Sequence, residues 1–93
     1  MNITDDVKAD IIDWFISAMP GLNSDVKEFG EIDITIGVNK EGTSWNYQTG
    51  DNSYTGGAYG LANWAVVTYT DNITIGTVIA EVFNQLDEIE IMY

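Results

Sequence analysis

Asp6, Asp10 and Asp13 are the side chains whose type and spacing say most about chemistry. On a helix they fall on one side and span seven residue steps, about 10 Å of axis at ~1.5 Å per residue. That sets a negative charge every ~5 Å, the same order as the ~3.4 Å phosphate spacing along one DNA strand. Glu31 and Asp33 sit at alternate positions of a strand, and Glu81, Asp87, Glu88 and Glu90 follow late in the chain. All fifteen acidic residues face only Lys8, Lys27 and Lys40, with no arginine, for a formal net charge of −12. The lysines that would offset the acidic row at i±4 are nearly absent. A row of this kind suits a cationic protein groove. Its bland alternatives are a solvated helix face and charge that keeps the protein in solution.

The same inventory weighs against catalysis. The chain has no histidine, cysteine or arginine. Ser-His-Asp and Cys-His arrangements, cysteine-based zinc sites and arginine clamps on phosphoryl groups are therefore excluded. Carboxylate pairs could do acid–base work, but a chain of 93 residues leaves little room for a deep cleft. The expectation is a non-enzymatic protein with no catalytic residue, metal or cofactor. Direct nucleic-acid binding and adhesion to anionic membranes both call for lysine and arginine, so neither is expected.

The segment Gly50–Gly60 holds Asp51, Tyr54 and Tyr59 among several glycines. It lacks the Gly-Lys-Ser/Thr ending of a phosphate-binding loop and the spacing of a calcium loop. An ordinary inter-strand loop accounts for it. Its tyrosine, glycine and serine content also suits an adaptable protein-binding surface. The candidate partner-binding residues are thus Asp6, Asp10, Asp13, Glu31, Asp33, Asp51, Tyr54 and Tyr59.

Elements must hold these residues in place. With 45% hydrophobic and 19% charged residues, the chain lies outside the disordered class, and its length suits one domain over residues 1–93. Thr4 as N-cap, Asp5 and Asp6 in the first turn, and Val7, Ile11, Trp14, Phe15 and Ala18 as a stripe predict a helix over 4–19, ended by Pro20-Gly21. Ile12 and Ile16 lie off that stripe. Residues 31–38 alternate as a half-buried strand, and Asn39-Lys40-Glu41-Gly42 turns into a second strand, Thr43–Thr49, with Trp45 and Tyr47 on one face.

Leu61–Thr70 reads as a third strand. Trp64 and Val66 face one way and Ala65, Val67 and Tyr69 the other, which suggests a central position or a covered second face. Asp71-Asn72 leads into a helix near Ile75, whose stripe is Ile75, Val78, Ile79, Val82, Phe83 and Leu86. Residues 89–93 either add a strand or prolong that helix. The expected fold is α+β in the order α-β-β-β-α, a three-stranded antiparallel sheet with both helices on one face. The strip Ala65, Val67 and Tyr69 would then need a cover: self-association, a partner, or the Gly50–Gly60 loop.

The first residues have neither the basic nor the apolar region of a secretory signal, and no apolar run approaches the ~20 residues that cross a bilayer. The absence of cysteine is compatible with a reducing cytosol.

In size, acidity and α-β-β-β-α order, the chain resembles the small phage-encoded inhibitors of host defence, including anti-CRISPR and DNA-mimic proteins. The stretch Trp45–Val67 is also similar to small phage proteins, over about a quarter of the chain. This resemblance implies stoichiometric blocking of a basic, nucleic-acid-binding surface on a host protein, in the host cytoplasm. The class has no shared motif, so it assigns no residue. The alternative expectation is a structural or accessory interaction domain, homodimeric through the apolar sheet face.

Overall fold

A computed structural model of the chain describes residues 3–39, 42–49, 52–57 and 63–88. The fold is α+β: helix α1 (Asp5–Phe29), strands β1 (Glu31–Asn39), β2 (Gly42–Thr49), β3 (Asn52–Gly57) and β4 (Asn63–Thr70), then helix α2 (Ile75–Glu88). The strands form one antiparallel sheet in the order β3-β2-β1-β4. α1 packs over β1 and β2, and α2 over β4.

α1 begins as its sequence dictates. The Thr4 hydroxyl accepts from the Val7 amide at 3.2 Å, and Asp5 and Asp6 complement the positive end of the helix. It does not stop at Pro20, and the expected end at that residue is corrected by nine further residues of helix. Proline forfeits the bond to the Ile16 carbonyl and crowds it, at a cost of about 3 kcal/mol. Pro20 and Ile16 both lie on the exposed side, where water can solvate that carbonyl. Beyond Pro20 the stripe resumes with Leu22 and Val26, 0% and 3% exposed. Burying the two gains about 3–6 kcal/mol, enough to carry the helix through. Gly30, at φ 85°, ends it by donating its amide to the Val26 carbonyl at 2.8 Å.

β1 alternates as expected. Ile32, Ile34, Ile36 and Val38 are buried beneath the helices with Ile11, Phe15 and Leu22 of α1 and Val78, Val82 and Leu86 of α2. The β1–β2 hairpin has the expected register, Asn39 opposite Gly42, and Trp45 and Tyr47 share the helix-facing side.

Two expectations for the remaining strands are overturned. The sheet has four strands, because part of the presumed Gly50–Gly60 loop is β3, paired along β2 from Thr49–Asn52 to Ser44–Gly57. β4 lies at an edge and not at the centre. Its register with β1 puts Ala65, Val67 and Tyr69 on the helix side, where all three are buried. They need no outside cover. The Tyr69 hydroxyl reaches Asn23 of α1 at 2.9 Å. Trp64 and Val66 instead face the open side, 40% and 57% exposed. The Trp64 ring lies on Gly37 so closely that a Cβ there would come within 2.5 Å of it.

The free edge of β4 is blocked from within the chain. Gln85 of α2 accepts from the Val66 amide at 2.8 Å and donates to the Val66 carbonyl at 2.9 Å, as a neighbouring strand would. A main-chain pair that could recruit another strand is thereby occupied. α2 is capped by Thr74, whose hydroxyl accepts from the Thr77 amide at 3.2 Å. No helix among the described residues is long and apolar enough to cross a membrane.

Candidate functional site

α1 carries Asp6, Asp10 and Asp13 on one exposed side, as the sequence implies. The continuation past Pro20 lengthens that side. Ser17, Ser24 and Glu28 follow at 11, 18 and 22 residues from Asp6, the recurrence of a 3.6-residue helix, and all three are exposed. The face therefore runs about 33 Å at ~1.5 Å per residue. Glu28 lies beyond the helix end that Pro20-Gly21 predicts. The signal that could have found it is the apolar pair Leu22 and Val26, which prolongs the core stripe. Lys8, the lysine nearest in sequence to the row, is turned away and lies over the Phe83 ring at 5.8 Å. Lys27 is in the last turn.

Next to the acidic side runs an aromatic row that fixes the helix against the sheet. Trp14 meets Phe15 edge-on at 4.8 Å, Trp45 at 5.5 Å and Tyr47 at 6.4 Å. Tyr47 stacks on Trp45 at 5.9 Å and on Tyr54 of β3 at 4.8 Å. Tyr54 is 44% exposed, so the row ends in an accessible ring at the sheet edge. Burial raises the Tyr47 hydroxyl above its ordinary pKa of 10.0, and the charges of Asp25 and Tyr54 add to this. Asp25, half-buried on α1, is thus near enough for Tyr47 to feel its charge. Trp45 lies against Gly56, where a Cβ would come within 2.5 Å of its ring. Only a glycine in β3 lets that indole lie flat.

Glu31 and Asp33 are exposed on the opposite, open face of the sheet. With Phe29 and Gln48 they line an open recess of about 300 Å³. Asp33 accepts from the Thr68 hydroxyl at 2.9 Å. They do not join the α1 row. The expected site is two acidic surfaces on two layers: α1, with Tyr54 at its flank, and the Glu31–Asp33 recess. Asp51 and Tyr59 lie outside the described residues, as does the choice between strand and helix for 89–93.

Neighbouring side chains on the open sheet face are mostly small and polar. Asn46 donates to the hydroxyls of Ser53 and Thr55 at 3.2 and 2.7 Å. Among the described residues no three or more Asp or Glu gather closely enough to hold a metal ion. The chain matches no protein-family model, no curated protein and no solved structure.

Proposed function

We propose that this protein is a small acidic inhibitor that occupies a basic nucleic-acid-binding groove on a host defence or nucleic-acid-handling protein, imitating phosphates with the carboxylates of α1. The observation that carries the reading is the exposed acidic side of α1. Asp6, Asp10 and Asp13 are solvent-facing, and Lys8 is engaged elsewhere, over Phe83. Fixed carboxylates on a rigid helix lose little freedom on binding and speed the approach of a cationic partner. Inhibition by occupation needs no turnover, in keeping with a chain that has no histidine, cysteine or arginine. The proposed place of action is the host cytoplasm.

Capture of partners from a host lysate at low and high salt tests this reading. The expected result is a basic nucleic-acid-binding protein, bound one-to-one, released by salt and displaced by nucleic acid. Inactivation of that target by sub-stoichiometric amounts of this protein would contradict it, and so would retention unaffected by salt or nucleic acid.

A second reading, an accessory interaction domain, draws on the open sheet face, where Trp64 and Val66 are exposed side by side on β4. It predicts self-association through those two residues, measurable by sedimentation of Val66→Lys against the native chain.

A further inference from the structure

The two edges of the sheet are treated differently. β4 has its outward main-chain groups at Val66 bound by Gln85. β3, the other edge, has no strand beyond it among the described residues. Two residues separate β2 from β3, and Thr49 faces Asn52 across that connection. Bonded pairs alternate along an antiparallel ladder, so Thr49–Asn52, Tyr47–Tyr54 and Trp45–Gly56 exchange their main-chain bonds. The amides and carbonyls of Ser53 and Thr55 consequently point away from the sheet. Both residues are exposed and neither is charged, proline or bulky, so among the described residues no side chain of the kinds that usually guard an edge stands at these two positions.

The charge beside this edge selects its occupant. Trp14 faces β2, and exposed Asp10, four residues earlier on α1, falls between it and the acidic side by helical spacing. Gly21 lies seven residues, about two turns, past Trp14; a methyl on it would sit 3.9 Å from the Tyr47 hydroxyl. Asp25 follows four residues on. By helical spacing Asp10 and Asp25 thus fall on the side of α1 that faces β2, the strand next to β3. A strand added ~4.8 Å beyond β3 would turn alternate side chains toward them.

We propose that β3 is a docking edge for an extended cationic segment of a partner protein, which adds as a fifth strand and carries Lys or Arg at every second position, on the helix-bearing face of the sheet. Main-chain bonds to Ser53 and Thr55 supply the pairing, and Asp10 and Asp25 select the charge. A second copy of this chain is a poor occupant. Symmetric pairing of two β3 edges would turn two such α1 sides toward each other across three strand spacings, roughly 14 Å, between chains of net charge −12. The proposal shares with the inhibitor reading a cationic partner and Asp10, but it does not require that partner to bind nucleic acid.

The probe is an end-blocked peptide, Lys-Thr-Lys-Thr-Lys-Thr-Lys, added to the full-length protein while amide exchange is followed by NMR. Saturating peptide should slow exchange at the Ser53 and Thr55 amides by about tenfold or more. A peptide of the same sequence, N-methylated at every residue, keeps its charge but has no backbone amide left to donate along either edge. It should bind about tenfold more weakly or worse. Asp10→Asn with Asp25→Asn should weaken the unmethylated peptide and leave the thermal midpoint nearly unchanged. Equal affinity for the two peptides would overturn the proposal, because charge alone would then explain binding. Unchanged exchange at Ser53 and Thr55 would overturn it too, as would a peptide-free dimer already protected there. Any of these failures leaves groove occupation by Asp6, Asp10 and Asp13 to stand or fall on nucleic-acid competition.

Discussion

Replacing Pro20 with alanine should make the protein more stable, against the usual direction of a substitution within an ordered element. Pro20 lies inside α1 and is exposed, so its removal opens no cavity. Alanine restores an amide able to donate to the Ile16 carbonyl and removes the ring that crowds it, a gain of about 3 kcal/mol in a regular helix. Part of this is offset, because proline also restricts the unfolded chain by about 0.4–1 kcal/mol. Some of the crowding is already relaxed in a helix that accommodates the residue. A net gain of about 1–2 kcal/mol remains, which for a domain of this size raises the melting midpoint by about 5–15 °C. Far-UV circular dichroism during thermal and urea unfolding measures it. Leu22→Ala is the companion variant. It empties a fully buried site just past Pro20 and should cost about 2–5 kcal/mol. A Pro20→Ala protein that is no more stable than the native chain, or a Leu22→Ala protein that loses less than about 1 kcal/mol, would refute a continuous, packed α1.

Two further expectations concern the sheet. Gln85→Ala removes both bonds to the Val66 main chain at a water-accessible edge and should cost about 1–2 kcal/mol, with faster amide exchange at Val66; unchanged exchange there would mean the edge is not closed by Gln85. The Tyr47 hydroxyl holds its proton to higher pH in the folded than in the unfolded state. Its contribution to stability is therefore fully present below pH 10 and falls away as pH rises above that value. Urea unfolding across this range should show a decline that Tyr47→Phe makes shallower, and identical slopes for the two proteins would contradict the assignment.

Particular residues show what could be read from the sequence. Alternation in β1 and the i, i+3, i+4 recurrence in α2 each reflect a single buried face, so their type and orientation were legible. Pro20 is a breaker by local rule, and it is the apolar pair Leu22 and Val26 beyond it that carries the helix through. The glycines of β3 point to a loop. Yet Tyr47, Thr49, Asn52 and Tyr54 mirror one another about Gly50-Asp51, a two-residue hairpin signal. Gly56 belongs in that strand because the Trp45 ring takes the space of its side chain, a tertiary fact that no local pattern carries. The doubly apolar character of β4 has a similar origin: one face meets the helices, while on the other Trp64 covers Gly37. Of the candidate site, the row Asp6, Asp10 and Asp13 was legible, since it needs only helical periodicity. Its extension to Glu28 and its separation from Glu31 and Asp33 depend on tertiary packing.

In the proposed function the carboxylates of α1 bind by charge. The most direct measurement is the salt dependence of partner binding for the native protein and for Asp6→Asn, Asp10→Asn and Asp13→Asn combined. The triple variant takes the formal net charge from −12 to −9 and leaves the Thr4 cap and the buried stripe in place. Exposed substitutions of this kind usually change stability by no more than about 0.5 kcal/mol, so any loss of binding reports on the interface. Screening contracts from a Debye length of about 10 Å at 0.1 M salt to about 3 Å at 1 M. The expected result is weaker binding by the variant at low salt, chiefly through slower association, with the two proteins converging as salt rises. Equal affinity and equal inhibition at every ionic strength would contradict the claim and leave the α1 row a solvated helix face.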